Sequence, residues 1–141
     1  MRCFFDTNVL VYAFDHTAPA KSAVAQQLLA ECIARSDAFF STQVLQEFFT
    51  TVTRKLSTPL AHGEAERAVR EFAKLPIVNA DANLILDAIA LSERYLLSLW
   101  DALIIQAALR AGAEILYTED LQDGQIFDSL TVRNPFVGAQ T

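Results

Sequence analysis

Short apolar runs alternate along the chain with longer segments in which apolar residues recur every three or four positions. The apolar runs predict strands at 3–5, 37–41, 77–78, 114–118 and 130–133. The periodic segments predict helices at 20–35, 43–56, 62–74, 82–97 and 102–111. Short apolar strands that alternate with helices are typical of a parallel sheet covered on both faces. The pattern therefore predicts one α/β domain over residues 1–141.

The last of these helices, 102–111, differs from the others because it has almost no polar face. Its own side chains are apolar on nearly every side, so we expect the helix to be almost completely enclosed. Gly112 follows it directly and is a suitable residue to end it.

Composition agrees with a compact, cytoplasmic protein. The chain has 141 residues, of which 52% are hydrophobic and ten are phenylalanine, enough to build a well-filled interior. No apolar run approaches the roughly 20 residues that cross a bilayer, and no signal-peptide pattern is visible at the N-terminus. Cys3 and Cys32 both have apolar neighbours, so we expect two reduced, buried thiols.

The net charge of −6 argues against a general nucleic-acid binder. That argument weakens if several of the 17 acidic residues are gathered in one place and neutralised by a cation. The positions of the acidic residues therefore matter more than their number.

Four acidic residues fall where the predicted elements would bring them to one edge of the sheet. In an open parallel sheet, ligands bind beyond the carboxyl ends of the strands, near the point where strand order reverses. Asp6 directly follows the first strand, and Asp120 follows the fourth. Asp101 stands at the start of the enclosed helix, and Glu47 borders the apolar face of the helix at 43–56. We therefore expect these four carboxylates to converge.

Each acid also has a local explanation when it is taken alone. Asp6 could form an Asx-turn or cap a helix that starts near Val9, and Asp101 could cap its own helix. Glu47 could be an exposed helix residue, and Asp120 could be a turn residue within TEDLQDG.

Taken together, four converging carboxylates would repel one another and lose solvation unless a cation lay among them. Oxygen ligands alone favour a hard metal, Mg²⁺ or Mn²⁺, over Zn²⁺. His16 and His62 lack the spacing to another histidine or a cysteine that a zinc site requires. Because Mg²⁺ commonly binds phosphate groups, the cluster indicates metal-assisted hydrolysis of a phosphodiester.

At these residues the chain resembles the PIN-domain ribonucleases, in particular the VapC-type toxins of bacterial toxin–antitoxin pairs. Four blocks, spread over essentially the whole chain, carry the resemblance: FFDTNVLVYAFD, STQVLQEFFTTVTRK, SLWDALIIQAAL and ILYTEDLQDG. In these blocks, the acidic positions of the family correspond to Asp6, Glu47, Asp101 and Asp120. DTN alone is weakly specific, whereas the order and spacing of the four blocks are highly specific.

The resemblance implies a PIN-like three-layer fold with a parallel sheet of about five strands between helices. It also implies Mg²⁺- or Mn²⁺-dependent endoribonuclease activity, a homodimer, and a cognate antitoxin that blocks the site. Thr7 and Thr118 would orient the acids or a water molecule. Asp123 is either a fifth acid near the metal or the turn before Gly124, and the turn is slightly favoured. The candidates for contact with RNA phosphates are Arg54, Lys55, Arg94 and Arg110.

Three other interpretations remain to be weighed. A haloacid-dehalogenase phosphatase needs a second aspartate two residues after the first, where this chain has Asn8. A response-regulator receiver domain needs a lysine after a later strand, and the chain has none beyond Lys74. The main alternative is a non-catalytic PIN-like domain that binds RNA or protein, although such a domain would be expected to lack one or more of the four acids.

Overall fold

The computed structural model describes residues 1–139, which form six strands and six helices. The strands are β1 (Cys3–Phe5), β2 (Ala38–Ser41), β3 (Ile77–Val78), β4 (Ile115–Tyr117), β5 (Ile126–Phe127) and β6 (Leu130–Arg133). The helices are α1 (Thr7–Tyr12), α2 (Pro19–Ala34), α3 (Thr42–Arg54), α4 (His62–Phe72), α5 (Ala82–Tyr95) and α6 (Leu99–Arg110).

The strands form one sheet in the order β3-β2-β1-β4-β6-β5. All neighbouring pairs are parallel except β5 and β6, which are antiparallel. The predicted α/β class is therefore confirmed, and the five predicted strands are all present. The expectation of about five strands missed β5, a two-residue strand at the edge of the sheet.

The core lies between the sheet and the helices, and phenylalanine fills much of one side. The rings of Phe40, Phe48 and Phe72 pack edge to face, with centroids 5.3–5.5 Å apart, and Phe5 and Phe14 extend this group. Edge-to-face packing of this kind adds about 0.5–1.5 kcal/mol per pair to the burial of the rings. These rings therefore hold α3 and α4 firmly against β1 and β2.

Helix α6 is enclosed over most of the predicted range, with six buried residues from Ala102 to Ala108. It starts at Leu99, three residues before the predicted start, and Gly112 follows its end with a φ of 70°. Within residues 1–139, no helix is long and apolar enough to cross a membrane.

Both cysteines are buried and unpaired, as expected. Burial, reinforced by the neighbouring Cys32 thiol, raises the pKa of Cys3 to about 12. The Cys3 thiol is therefore protonated and unreactive at neutral pH.

Candidate functional site

A cleft of about 570 Å³ opens at the carboxyl edge of the sheet. The chain runs from β1 to β2 on one side and later places β4 on the other side of β1, so strand order reverses between β1 and β4. This is where ligands bind in open α/β sheets. All four predicted acids line the cleft, namely Asp6, Glu47, Asp101 and Asp120.

Asp6 combines a local and a long-range role. It is the N-cap of α1, and its Oδ1 accepts a hydrogen bond from the backbone N–H of Thr7 at 2.7 Å. Its Oδ2 accepts a hydrogen bond from the Thr118 hydroxyl at 2.8 Å, and the residue is only 6% exposed. The local cap and the position in the cleft, which the sequence left as alternatives, therefore occur together.

Asn8 connects the acids that follow β1 and β4, and sequence reasoning gave it no role in the site. Its side-chain amide donates to the Thr118 hydroxyl and to Asp120 Oδ2, each at 3.1 Å, and lies 3.5 Å from Asp6 Oδ2. Its own Oδ1 accepts from the backbone N–H of Glu119 at 3.4 Å. The only signal in the sequence was a polar residue in the first turn after the strand-end acid.

Thr118 is fully buried and lies at the centre of these contacts. Besides donating to Asp6, its hydroxyl accepts from Asn8 and from the backbone N–H of Asp120 at 3.0 Å. The hydroxyl therefore holds the backbone of the segment after β4 in register with Asp6.

Glu47 reaches the cleft from α3, at the border of that helix's apolar face. Its Oε1 accepts a hydrogen bond from the Thr7 hydroxyl at 2.9 Å, and the Gln43 amide lies 3.5 Å away. Thr7 and Thr118 thus each hold one of the acids, in positions that suit the supporting role expected of them.

Asp101 lies in the first turn of α6, whose N-cap is Ser98. The Ser98 hydroxyl accepts a hydrogen bond from the backbone N–H of Asp101 at 3.1 Å. Because Ser98 caps the helix, the Asp101 carboxylate is not needed as a cap and can face the cleft. The Gln43 amide donates to the backbone oxygen of Trp100 at 3.4 Å, which ties this turn to α3.

The electrostatics of the cleft disfavour negative charge on Asp6 and on Asp101. Burial raises the pKa of Asp6 to about 7; hydrogen bonds from Thr118 and Thr7 counter this effect, and the charges of Asp120 and Glu47 add to it. Burial also raises the pKa of Asp101, and the charge of Asp120 adds to the shift. Within residues 1–139, no ion pair involves any of the four acids.

The donor set suits a hard divalent cation because it consists of carboxylate oxygens without nearby imidazole or thiolate ligands. The buried Asp6 has no basic partner in the described chain, and a cation would relieve that burial cost. However, no three His, Cys, Asp or Glu side chains of residues 1–139 stand close enough to hold an ion as they are. The Asn8 amide nitrogen lies 3.5 Å from Asp6 Oδ2 and 3.1 Å from Asp120 Oδ2.

Asp123 lies outside the cleft lining. Its Oδ1 accepts a hydrogen bond from the backbone N–H of Asn134 at 2.9 Å. We therefore assign it to the turn before Gly124 rather than to the acid cluster.

Of the four basic residues expected to meet RNA, only Lys55 lines the cleft. Arg110 pairs with Asp81 at 3.0 Å, and the guanidinium of Arg94 lies over the ring of Tyr95. Neither Arg94 nor Arg110 lines the cleft, and their contact with RNA stays a prediction. Arg54 is exposed beside Lys55 but does not line the cleft.

A second group of residues that sequence reasoning missed supports the segment after β4. Lys21 Nζ lies 3.1 Å from Glu119 Oε2 and 4.8 Å from the centroid of the Tyr12 ring. The Tyr12 hydroxyl donates to Glu119 Oε1 at 2.8 Å. No sequence pattern predicts this contact, because it joins residues nearly a hundred positions apart.

Several solved structures are similar in fold to this chain. A toxin–antitoxin complex from Klebsiella pneumoniae gives a TM-score of 0.70 at 22% identity, covering 94% of this chain and 97% of that one. The Mycobacterium tuberculosis toxin VapC20, described as cleaving the sarcin–ricin loop, gives 0.67 at 19% identity, covering 84% and 89%. VapBC2 from Rickettsia felis, bound to a promoter DNA fragment, gives 0.63 at 20% identity, covering 95% and 98%.

Sequence comparison gives a more direct assignment. No curated protein matches the chain significantly. The family model of the PIN domain matches residues 3–124, which include β1 to β4 and all four acids of the cleft. This chain therefore belongs to the PIN domain family.

Proposed function

We propose that this protein is a divalent-metal-dependent endoribonuclease that acts as the toxin of a toxin–antitoxin pair. The observation that carries the proposal is the arrangement of four carboxylates from four separate segments around one cleft. They line the cleft where strand order reverses, and no basic side chain of residues 1–139 forms an ion pair with any of them. Membership of the PIN domain family supports this interpretation.

In this proposal, Asp6, Glu47, Asp101 and Asp120 would hold Mg²⁺ or Mn²⁺. When bound, such a cation supplies Lewis-acid stabilisation of phosphodiester oxygens and makes water a stronger nucleophile at neutral pH.

The surrounding residues hold the acids in position. Thr118 keeps Asp6 and the segment after β4 together, and the Thr7 hydroxyl orients Glu47. The Asn8 amide donates to Asp120 and lies 3.5 Å from Asp6. Lys55, the residue directly after α3, lines the cleft and supplies positive charge for an RNA phosphate.

The toxin role rests on the similarity in fold to the Klebsiella, Mycobacterium and Rickettsia proteins. A cognate antitoxin would block the cleft. Induction of the protein in a bacterial host should then arrest growth, and co-expression of the protein encoded beside it should restore growth. Growth arrest that persists with the Asp101→Asn variant would count against toxicity through RNA cleavage.

Cleavage of a labelled structured RNA by the purified, antitoxin-free protein tests the enzymatic proposal. We expect cleavage with Mg²⁺ or Mn²⁺ and none with EDTA. Asp6→Asn and Asp101→Asn should each reduce the rate by more than about 100-fold, because replacing a ligand costs at least as much as losing one of its supporting contacts. Asp123→Asn is the matched control, since that acid belongs to a nearby turn outside the cleft. Equal cleavage in EDTA, or by the two cleft variants, would contradict the proposal.

The alternative is a PIN-like domain that binds RNA or protein without cleaving. It is favoured by one observation, that no three ligating groups of residues 1–139 are close enough to hold an ion as they stand. This alternative predicts RNA binding without cleavage with either metal.

A further inference from the structure

Trp100 has an unusual position for a large apolar side chain. It is the only tryptophan in the chain, it is 64% exposed, and it lines the cleft directly beside Asp101. Exposure of so large an aromatic surface is unfavourable in water. An exposed aromatic side chain in a cleft is better explained by a ligand than by the packing of the fold.

The backbone around Trp100 is held firmly although its ring is exposed. The Ser98 hydroxyl caps the turn that carries it, and the Gln43 amide donates to its backbone oxygen. The ring is therefore presented from a fixed point at the start of α6. A tryptophan side chain has only two χ angles, so it loses little conformational freedom when a ligand stacks on it.

One wall of the cleft carries polar groups that suit a nucleotide. The wall formed by α3 presents Gln46, Thr50, Thr51 and, just beyond the helix, Lys55. Amides and hydroxyls can pair with the polar edges of a base, and Lys55 can meet a phosphate. The Gln46 amide makes no hydrogen bond within residues 1–139, so it is available for such an edge.

We propose that Trp100 stacks on an unpaired nucleobase of RNA in the cleft, next to the phosphodiester that faces the acids. The inference rests on the proposed function for the identity of the ligand, and it adds the residue that selects single-stranded over paired RNA. Proteins that read RNA commonly stack unpaired bases on aromatic side chains. Each such contact contributes about 1–3 kcal/mol, with little dependence on which base is stacked.

Because Trp100 is the only tryptophan, the intrinsic fluorescence of the protein reports on this side chain directly. The protein is titrated in EDTA, which keeps the RNA intact, with a short end-labelled single-stranded oligoribonucleotide. A matched oligonucleotide has the same sugar–phosphate chain but abasic nucleotides. Label anisotropy measures binding of each, and tryptophan fluorescence measures stacking.

We expect saturable quenching by the base-containing oligonucleotide and none by the abasic one. Trp100→Ala should weaken binding of the first by about 10-fold or more, and it should leave binding of the second unchanged. Trp100→Phe should restore most of the affinity. Ile126→Ala, an exposed apolar residue outside the cleft, is the control for loss of surface hydrophobicity.

Binding of the base-containing RNA without a change in fluorescence would overturn the inference. So would an equal effect of Trp100→Ala on both oligonucleotides, or fluorescence that responds to the antitoxin but not to RNA. The proposed function is tested separately by cleavage with metal. Base-dependent quenching without cleavage would support the stacking contact and reject the nuclease. Cleavage without quenching would support the nuclease and reject the stacking contact.

Discussion

At the scale of single residues, Asp6 carries two demands that conflict in the absence of a cation. Its carboxylate caps α1 and is held by Thr118, so it cannot turn towards solvent. It is also almost fully buried beside two other acids, so its charged form is disfavoured. Such a residue stabilises the fold least when it is ionised, so the stability of the protein should depend measurably on pH.

The first prediction concerns Asp6→Asn. The pKa of Asp6 is about 7 in the folded protein, against a reference value of 3.8. The folded state therefore binds the proton more tightly, and its stability falls as pH rises from about 4 through about 7. Asparagine cannot ionise, so the variant should lose this part of the pH dependence.

Thermal melting in EDTA between pH 4.5 and 8 provides the measurement. At pH 8 the variant should melt higher than the wild type, by at least about 5 °C for a shift of this size in a domain of this length. Parallel melting curves across the pH range would contradict the raised pKa.

The second prediction concerns the buried hydroxyl of Thr118. Thr118→Val keeps the shape but removes the donor to Asp6 and the acceptor for Asn8 and the Asp120 N–H. Unsatisfied buried groups should cost about 1–3 kcal/mol in the free energy of unfolding, measured in urea. Thr118→Ser keeps the hydroxyl and should recover most of the loss and most of the cleavage rate. A valine variant as stable and active as the wild type would show that this hydroxyl is dispensable.

The placement of the four acids around one cleft could be predicted from the sequence because each lies at a strand end or a helix border. The position of Asn8 in the cleft could not be predicted in this way. Its contacts join positions 110 and 112 residues apart and depend on β1 pairing with β4 in the observed register. No local pattern contains that information.

At the scale of elements, the first turn of α6 unites the Ser98 cap, Trp100 and Asp101. The third prediction is that Ser98→Ala lowers both stability and cleavage. Loss of an N-cap costs about 1 kcal/mol, and here it would also loosen the turn that faces the cleft.

Asp81→Ala provides the matched comparison for that prediction. Asp81 caps α5 through the Leu84 N–H at 2.8 Å and lies outside the cleft. The Asp81→Ala variant should have a lower melting temperature but an unchanged cleavage rate per folded molecule. Equal effects of the two variants on cleavage would show that the first turn of α6 has no special role.

The long helices were predictable because their apolar periodicity spans several turns, and α2 to α5 begin within one residue of the predicted positions. The short elements were harder. Strand β5 has two residues, one of them the exposed Ile126, and its turn contains Asp128 at a φ of 53°. Strand β5 is defined only by its pairing with β6, because two residues are too few to show an alternating pattern of apolar and polar positions.

At the scale of the whole molecule, strand order creates the site. Because β1 lies between β2 and β4, segments distant in sequence deliver their acids to one opening. The aromatic core under α3 and α4 holds the wall that carries Glu47. The same architecture leaves one side of α5 with exposed apolar residues, namely Ile85, Leu86 and Ile89.

The fourth prediction is that this side of α5 contributes to a homodimer, which the family resemblance implied. Leu86 is 62% exposed, so Leu86→Glu should not disturb the fold of the monomer. Its charge would be buried without a partner in a dimer and should shift the protein towards monomers. Light scattering coupled to size exclusion measures this shift. Wild-type protein that remains monomeric at the highest concentration loaded would contradict the prediction.

The most direct test of the central claim, that the four acids form one metal site, is Mn²⁺ binding measured by electron paramagnetic resonance. The wild-type protein, dialysed against chelator, should bind Mn²⁺ saturably, and Asp123→Asn should bind it equally well. Asp6→Asn and Asp101→Asn should each weaken binding by about 10-fold or more. A wild-type protein that leaves all Mn²⁺ free at millimolar concentration, or equal binding by all four proteins, would contradict the account.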